Sequence, residues 1–315
     1  MTRNAPSPSA VGTDGSTTRP NAPSPQTSHP VAAIQPDVIA PAATPPAGGQ
    51  PLPTLAEKKP ATAAGESGAG DDWQPLRRFT RARIGLGRSG NALKTTDVLA
   101  FQAAHAQARD AVHTPLDVPA MLAQAKALGV SCLCVGSRAV DRATYLRRPD
   151  LGRRLSVESL PVLQKGAWDV VFVAADGLSS VATQNNALPL FDAMRNRLAG
   201  WRIAPLVLAT QARVALGDDI AQALGAAMVV IMIGERPGLS VADSLGVYLT
   251  YAPFVGCPDS SRNCLSNIHP HGLPVPLAAD KLAWLMREAR QLRLTGVGLK
   301  DAAPTGAALE GPATP

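Results

Sequence analysis

The 315-residue chain contains no run of about 18 apolar residues, the least that carries a helix across a bilayer, so no membrane partner is expected. Its opening, Met1-Thr2-Arg3-Asn4, runs into proline and serine without an apolar core, and no secretory signal is expected either. Cysteine is scarce: four residues do not make a disulfide framework, which points to a reducing, cytoplasmic setting. Also missing are Gly-x4-Gly-Lys-Ser/Thr, His-Glu-x-x-His and Gly-x-Ser-x-Gly, which argues against a P-loop, a zincin site and a nucleophile elbow. No zinc-finger, RRM or helix-turn-helix signature is present, and no nucleic-acid partner is expected.

The shortages are uneven along the chain. Residues 1–72 have no Phe, Tyr or Trp and hold 13 of the 29 prolines. Such a segment buries too little apolar surface to offset the entropy of ordering it, and it reads as a disordered Pro-rich tail. Asn-Ala-Pro-Ser-Pro repeats in it at 4–8 and 21–25. The net charge of +6 divides too: the tail carries four basic and six acidic residues, leaving +8 for the rest. A basic body suits an acidic partner or a phosphate-bearing ligand.

Residues 73–128 read as an N-terminal basic loop and helical segment. Arg77, Arg78, Arg81, Arg83 and Arg88 crowd its start, and Gly85, Gly87 and Gly90 form a loop that matches a dinucleotide loop in spacing only. A helix is expected over 96–112, with Val98, Phe101, His105, Ala108 and Val112 on one stripe. His105 reads as a core or interface histidine, with a ligand role as the alternative.

Residues 129–300 alternate strand and helix. Strands are expected over 130–135, 169–175, 204–209, 227–233 and 246–251, and helices over 119–128, 156–164, 188–199, 218–224 and 276–294. Continuous apolar strands between helices imply an α/β fold: a doubly wound, mainly parallel, Rossmann-like sheet covered on both faces. Residues 301–315 read as a flexible C-terminus. Ligands in such folds bind beyond the carboxyl ends of the strands. That rule selects Asp176-Gly177-Leu178-Ser179 and Gly234-Glu235-Arg236-Pro237-Gly238. The first is either a polar ligand loop or a turn whose serine caps the next helix. In the second, Glu235 either accepts hydrogen bonds from a ligand or pairs with an arginine.

Cys257, Cys264, His269 and His271 invite a zinc reading, but Cys-x6-Cys-x4-His-x-His fits no common structural site, so no metal site is assigned. Cys132 and Cys134 are expected to face opposite sides of their strand and not to share a metal. No catalytic residue is assigned. From these residues alone the reading stops at an α/β domain that binds a small polar ligand.

Longer stretches carry more. Arg81–Gly90 (RARIGLGRSG), Phe101–Asp110 (FQAAHAQARD), Arg148–Leu155 (RPDLGRRL), Asp176–Ser179 (DGLS), Gly234–Leu239 (GERPGL), Tyr248–Pro253 (YLTYAP) and Arg262–Ile268 (RNCLSNI) together resemble the small (light) subunit of ethanolamine ammonia-lyase, in the family's order, over about residues 75–300. The resemblance implies a subunit of an adenosylcobalamin-dependent lyase that turns ethanolamine into acetaldehyde and ammonia by a radical route, and that is inactive alone. It implies a β/α-barrel large subunit as partner, six copies of each, with base-on cobalamin shared between them. The absence of Asp-x-His-x-x-Gly agrees with base-on binding. Carried over residue by residue, it implies cobalamin contacts at Val214, Glu235 and Cys264. The basic run Arg77–Arg88 is then expected at the large-subunit interface, with a place near the cofactor phosphate as the alternative. Family members are often housed in bacterial microcompartments through an amphipathic N-terminal helix. Pro6, Pro8, Pro20, Pro23 and Pro25 break any such helix here, so free cytoplasm is expected. The rival readings are a stand-alone cobalamin or nucleotide carrier and a nucleotide-dependent transferase on the same fold.

Overall fold

A computed structural model describes residues 73–300. The tail and C-terminus expected at 1–72 and 301–315 lie outside the described residues. A four-residue helix, α1 (Gln74–Arg77), and a small hairpin, β1 (Arg88–Ser89) with β2 (Ala92–Leu93), precede the long helix α2 (Thr95–His113). Then follow α3 (Val118–Ala127), β3 (Cys132–Gly136), α4 (Arg142–Arg147), β4 (Val171–Ala175), α5 (Ser180–Arg197), β5 (Leu206–Thr210), α6 (Leu216–Leu224), β6 (Met228–Gly234), β7 (Leu245–Tyr251), β8 (Asn263–Ile268) and α7 (Val275–Leu292).

One six-stranded sheet organises these elements in the order β3-β5-β4-β6-β7-β8. The first four strands are parallel, and β7 and β8 add an antiparallel meander. The mixed α/β architecture and mainly parallel sheet agree with expectation. The strand order does not follow the 3-2-1-4-5-6 of the dinucleotide fold. The parallel half is the reason: β3, the first strand of the sheet, sits at the edge beside β5 instead of beside β4. Beyond β6 the meander adds β8, which reads in sequence as part of a Cys/His cluster but is a strand with Leu265 and Ile268 turned inward.

Both sheet faces are covered, which is why the central strands are apolar throughout rather than alternating. Phe172 and Ala174 of β4 point into a core shared with α3, α5 and α7. Val171, Val173 and Ala175 point into a second core under α6. On the first face Phe172 and Phe191 meet edge to face, with centroids 5.2 Å apart.

Helix α5 begins eight residues before the expected start at 188. Its first two turns are Ser-Val-Ala-Thr-Gln-Asn-Asn-Ala, polar text that looks like loop. These polar groups are buried and bonded: Ser180 Oγ donates to the Thr114 carbonyl, Thr183 Oγ1 to that of Ala175, and Asn186 Nδ2 to that of Ala182. Helix α2 also departs from expectation. Only Ala108 and Ala111 of its residues are buried, while Leu99, Phe101 and His105 are exposed, so His105 is no core residue of this chain.

Candidate functional site

Two parallel strands end in loops that interlock. Gly177 after β4 has φ +57°, and a Cβ on it would come within 2.2 Å of the Gly234 carbonyl oxygen at the end of β6. A Cβ on Gly234 would in turn strike the Ser179 backbone at 1.9 Å. Glycine at both positions is therefore what lets the two loops touch.

The first loop is structural. Asp176 is 1% exposed and its Oδ1 accepts from the Ala212 amide at 2.9 Å. Its Oδ2 accepts from the Gln211 amide at 2.8 Å and from Arg142 Nη1 at 3.2 Å. Burial pushes the Asp176 carboxyl above its ordinary range, against the pull of the Ala212 amide, the Arg142 charge and the Gln211 amide. Arg142 also donates to the carbonyls of Gly177 and Val112, tying α2 to the strand ends. Ser179 Oγ accepts from the Ala182 amide and caps α5. The capping alternative is thus the correct one for Asp176-Gly177-Leu178-Ser179.

The second loop is arranged differently. Glu235 is half-buried. Its amide donates to the Ser244 carbonyl, and its Oε2 accepts from Ser244 Oγ and, at 3.4 Å, from the Asn267 amide. Glu235 makes no ion pair with Arg236, and its Oε1 has no donor among the described residues. Gly246 lets Glu235 lie close over the strand: a Cβ there would stand 3.1 Å from Oε1 and 3.4 Å from Tyr248 Cε2. Tyr248 lies directly opposite Cys264 in the β7–β8 ladder. Burial, then the Cys264 beside it, pushes the Tyr248 phenol up to about 12. The Cys264 side chain is exposed on one side, and desolvation on the other raises its thiol above the ordinary value.

The expected contacts are brought together in part. Glu235, Tyr248 and Cys264 form one polar shelf on the α6 face of the sheet. Val214 lies on the same face, packed half-buried against the core under α6. The sequence reading missed Ser244, Tyr248 and Asn267 as neighbours of Glu235. Their signal was the β7–β8 meander, and the polar text of β8 hid it.

Helix α6 is fastened to that meander by an ion pair. Arg262 Nη2 is 2.6 Å from Asp218 Oδ2, with both side chains almost fully buried. Arg262 also donates to Asp218 Oδ1, Thr250 Oγ1, the Cys257 carbonyl and Asp259 Oδ1. The basic segment lies at the rim. Arg83 donates to the Leu239 carbonyl at 3.3 Å, and Ser240 Oγ donates to that of Arg81. Arg77, Arg78, Arg81, Asn267 and His271 wall a cavity of about 570 Å³ there.

The Cys/His cluster disperses. Cys257 is buried, Cys264 is on the shelf, and His269 is 3% exposed with Nε2 beside Asn267 Oδ1 at 2.9 Å and Nδ1 accepting from the His271 amide. Among the described residues no three His, Cys, Asp or Glu side chains converge as a metal site. Cys132 and Cys134 are two apart in a strand and so share one face, contrary to expectation; the charge of Cys134 contributes to the raised thiol of Cys132. Among the described residues no third ligand joins them. Among the described residues no helix is long and apolar enough to cross a membrane.

Comparison with known proteins gives this geometry a context. The family model "Ethanolamine ammonia-lyase light chain (EutC)" matches residues 70–300. An ethanolamine ammonia-lyase small subunit of Azotobacter vinelandii is 51% identical over 257 residues, covering 79% of this chain and 93% of the relative. One from Ralstonia nicotianae is 53% identical over 239 residues, 73% of this chain and 88% of the relative. A third, from Pseudomonas aeruginosa, is 48% identical over 256 residues, 79% and 93% respectively. With a family match over most of its length and relatives near half identity, this chain belongs to the ethanolamine ammonia-lyase light chain family.

Proposed function

We propose that the chain works as the small subunit of an adenosylcobalamin-dependent ethanolamine ammonia-lyase, closing over a base-on cobalamin that it shares with a β/α-barrel large subunit. The product pair is acetaldehyde and ammonia, and the assembly holds six copies of each subunit in the cytoplasm. The observation that carries this is the shelf of Glu235, just beyond β6, and Cys264, within β8, on the same sheet face as Val214 in a chain of this family.

The residues suit such a ligand. Cobalamin is edged with carboxamides, which need both acceptors and donors. Glu235 offers an ionisable acceptor oriented by Ser244 Oγ, with Oε1 unused among the described residues. A carboxylate accepting from an amide N–H is a charge-assisted bond, stronger than a neutral one. Cys264, kept in its thiol form by desolvation, offers a small neutral surface. Val214 offers apolar contact. Adenosylcobalamin held by these residues would supply the radical chemistry. This chain supplies none of the reacting groups. Its work is to bind the periphery of the cofactor, fix its orientation and exclude water from it.

The basic segment with Arg77, Arg78, Arg81 and Arg83, continuing into the exposed Leu99 and Phe101 of α2, is the surface assigned to the large subunit. The test is co-expression with a barrel-type large subunit, followed by cobalamin uptake and acetaldehyde release from ethanolamine. Activity is expected in the mixture and in neither chain alone. Cobalamin binding by this chain alone, without complex formation, would replace the reading with a carrier.

A further inference from the structure

The carboxyl-end crevice of this sheet lies between β4 and β5. Those strands are neighbours, yet the helix after β4, α5, packs on one face and the helix after β5, α6, on the other. Where adjacent strands send their helices to opposite faces, the chain parts and a crevice opens at the strand ends. Asp176 fills the base of this one. Gln211, Ala212 and Arg213 form its wall.

Arg213 is held firmly. Its amide donates to the Gly152 carbonyl at 2.8 Å. Its guanidinium carbon stands 4.3 Å from the centroid of the Tyr145 ring, and Arg142 approaches the same ring at 4.8 Å. Tyr145 is fully buried and fixed by its own hydroxyl, which donates to the Ala212 carbonyl at 2.9 Å. A Cβ on Gly152 would reach 3.0 Å from Arg213 Cγ, so the arginine stem fills the space that glycine leaves.

For all this ordering, the guanidinium has no acceptor among the described residues. Arg213 makes no ion pair and no side-chain hydrogen bond among the described residues, and its Nε is sealed from water without an acceptor. Arg262, which pairs with Asp218 in the first turn of α6, has by contrast an acceptor at Nε, Nη1 and Nη2. Two further polar atoms beside Arg213 are also buried without partners: Arg142 Nη2 and Gln211 Oε1. Gln211 itself takes a left-handed backbone, φ 54°, unusual for a residue with a side chain. Strain and unmet hydrogen-bonding capacity together at a strand-end crevice mark a place shaped for something else.

We propose that Arg213 is a cofactor-binding residue whose stacked guanidinium donates to an oxygen of the corrinoid, either the phosphodiester or a carboxamide carbonyl. The proposal rests on the cobalamin reading and adds to it a contact next to Val214. The cation offers to such an oxygen a planar fork already oriented by Tyr145, so little side-chain entropy is lost on binding.

The experiment is equilibrium binding of cyanocobalamin, followed by absorbance, to the purified complex with its large subunit. Arg213→Met is expected to weaken binding by about thirty-fold, the loss of a charge-assisted contact. Arg213→Lys, which keeps the charge without the fork, should lose about five-fold and carries the test if the methionine variant does not fold. Arg153→Ala, an exposed charge nearby, should stay within about two-fold, since screening leaves it little influence. Cyanocobinamide, which lacks the phosphate and nucleotide, separates the two sources. A defect that vanishes with it assigns the phosphate, and one that persists assigns a carboxamide. Full affinity of folded Arg213 variants for both ligands would overturn the proposal. So would dissociation of the two subunits with the unfolding midpoint unchanged, which would give Arg213 to a partner carboxylate. A wild-type complex that binds neither ligand would overturn the cobalamin reading, and this proposal with it.

Discussion

Asp176 and Glu235 are two carboxylates one residue beyond the ends of neighbouring parallel strands. By position they are equivalent candidates. Asp176 is sealed, and both oxygens are spent on two backbone amides and Arg142. Glu235 is half-open and spends one oxygen on a serine and a distant amide. Strand-end position selects loops but does not rank them. What separates a clamp from a binding group is the acceptor capacity left over once the chain's own donors are satisfied.

The sharpest way to break this comparison is to remove each carboxylate. Asp176→Ala strands the Arg142 charge and two amides in a dry crevice, so urea unfolding should show a loss of about 3–5 kcal/mol. A loss under about 1 kcal/mol would mean that Asp176 is no clamp. Next comes Gly177→Ala, which adds a Cβ against the Gly234 carbonyl in left-handed backbone. It should cost about 2–3 kcal/mol by the same measurement. Glu235→Ala should behave in the opposite sense. Its unfolding midpoint should move by less than about 1 kcal/mol, while cyanocobalamin affinity of the complex drops about ten-fold. If stability falls and affinity does not, the roles of the two loops are reversed.

Much of the fold was legible because the central strands are continuous apolar runs, and only a sheet covered on both faces needs them. Strand β6 and its αL-capped neighbour α6 are plain in the text for that reason. What stayed hidden was written in polar residues. The first turns of α5 and the whole of β8 are rich in Ser, Thr and Asn, which local propensity assigns to loops. They are regular here because tertiary partners accept their side-chain hydrogen bonds, a cause no local window contains. The site followed the same division. Glu235 was visible from strand-end position, while Ser244 and Tyr248, which orient and flank it, depend on strand pairing. Arg213 carried no signal of its own in the sequence, since having no acceptor among the described residues is a property of three dimensions.

The smallest expected effect sharpens the contrast through pH. The Asp176 clamp is ionic, whereas Tyr248 and Cys264 on the shelf are neutral groups whose pKa values are raised. In the folded chain the Tyr248 phenol, normally at 10.0, is pushed up to about 12. Below pH 10 it is protonated in folded and unfolded chains alike, and its contribution to stability is complete. Between pH 10 and about 12 the unfolded chain gives up the proton while the folded chain keeps it. The folded state then binds more protons, so stability falls as pH rises through this window. Tyr145, also raised by burial and then by the Asp176 charge, adds a slope that the Tyr248 and Cys264 variants keep. Tyr248→Phe should therefore flatten the alkaline decline of the urea midpoint relative to wild type without abolishing it. The Cys264 thiol, raised from 9.0, adds a decline of the same sign that begins one unit lower, and Cys264→Ser should remove it. Asp176→Asn should leave the Tyr248 and Cys264 parts of the alkaline slope in place and reduce only the Tyr145 part, because the Asp176 charge helps to raise that phenol. A Tyr248→Phe curve parallel to wild type would mean that the phenol is as well solvated in the folded chain as in the unfolded one, and the shelf would then be open water rather than a surface prepared for a ligand.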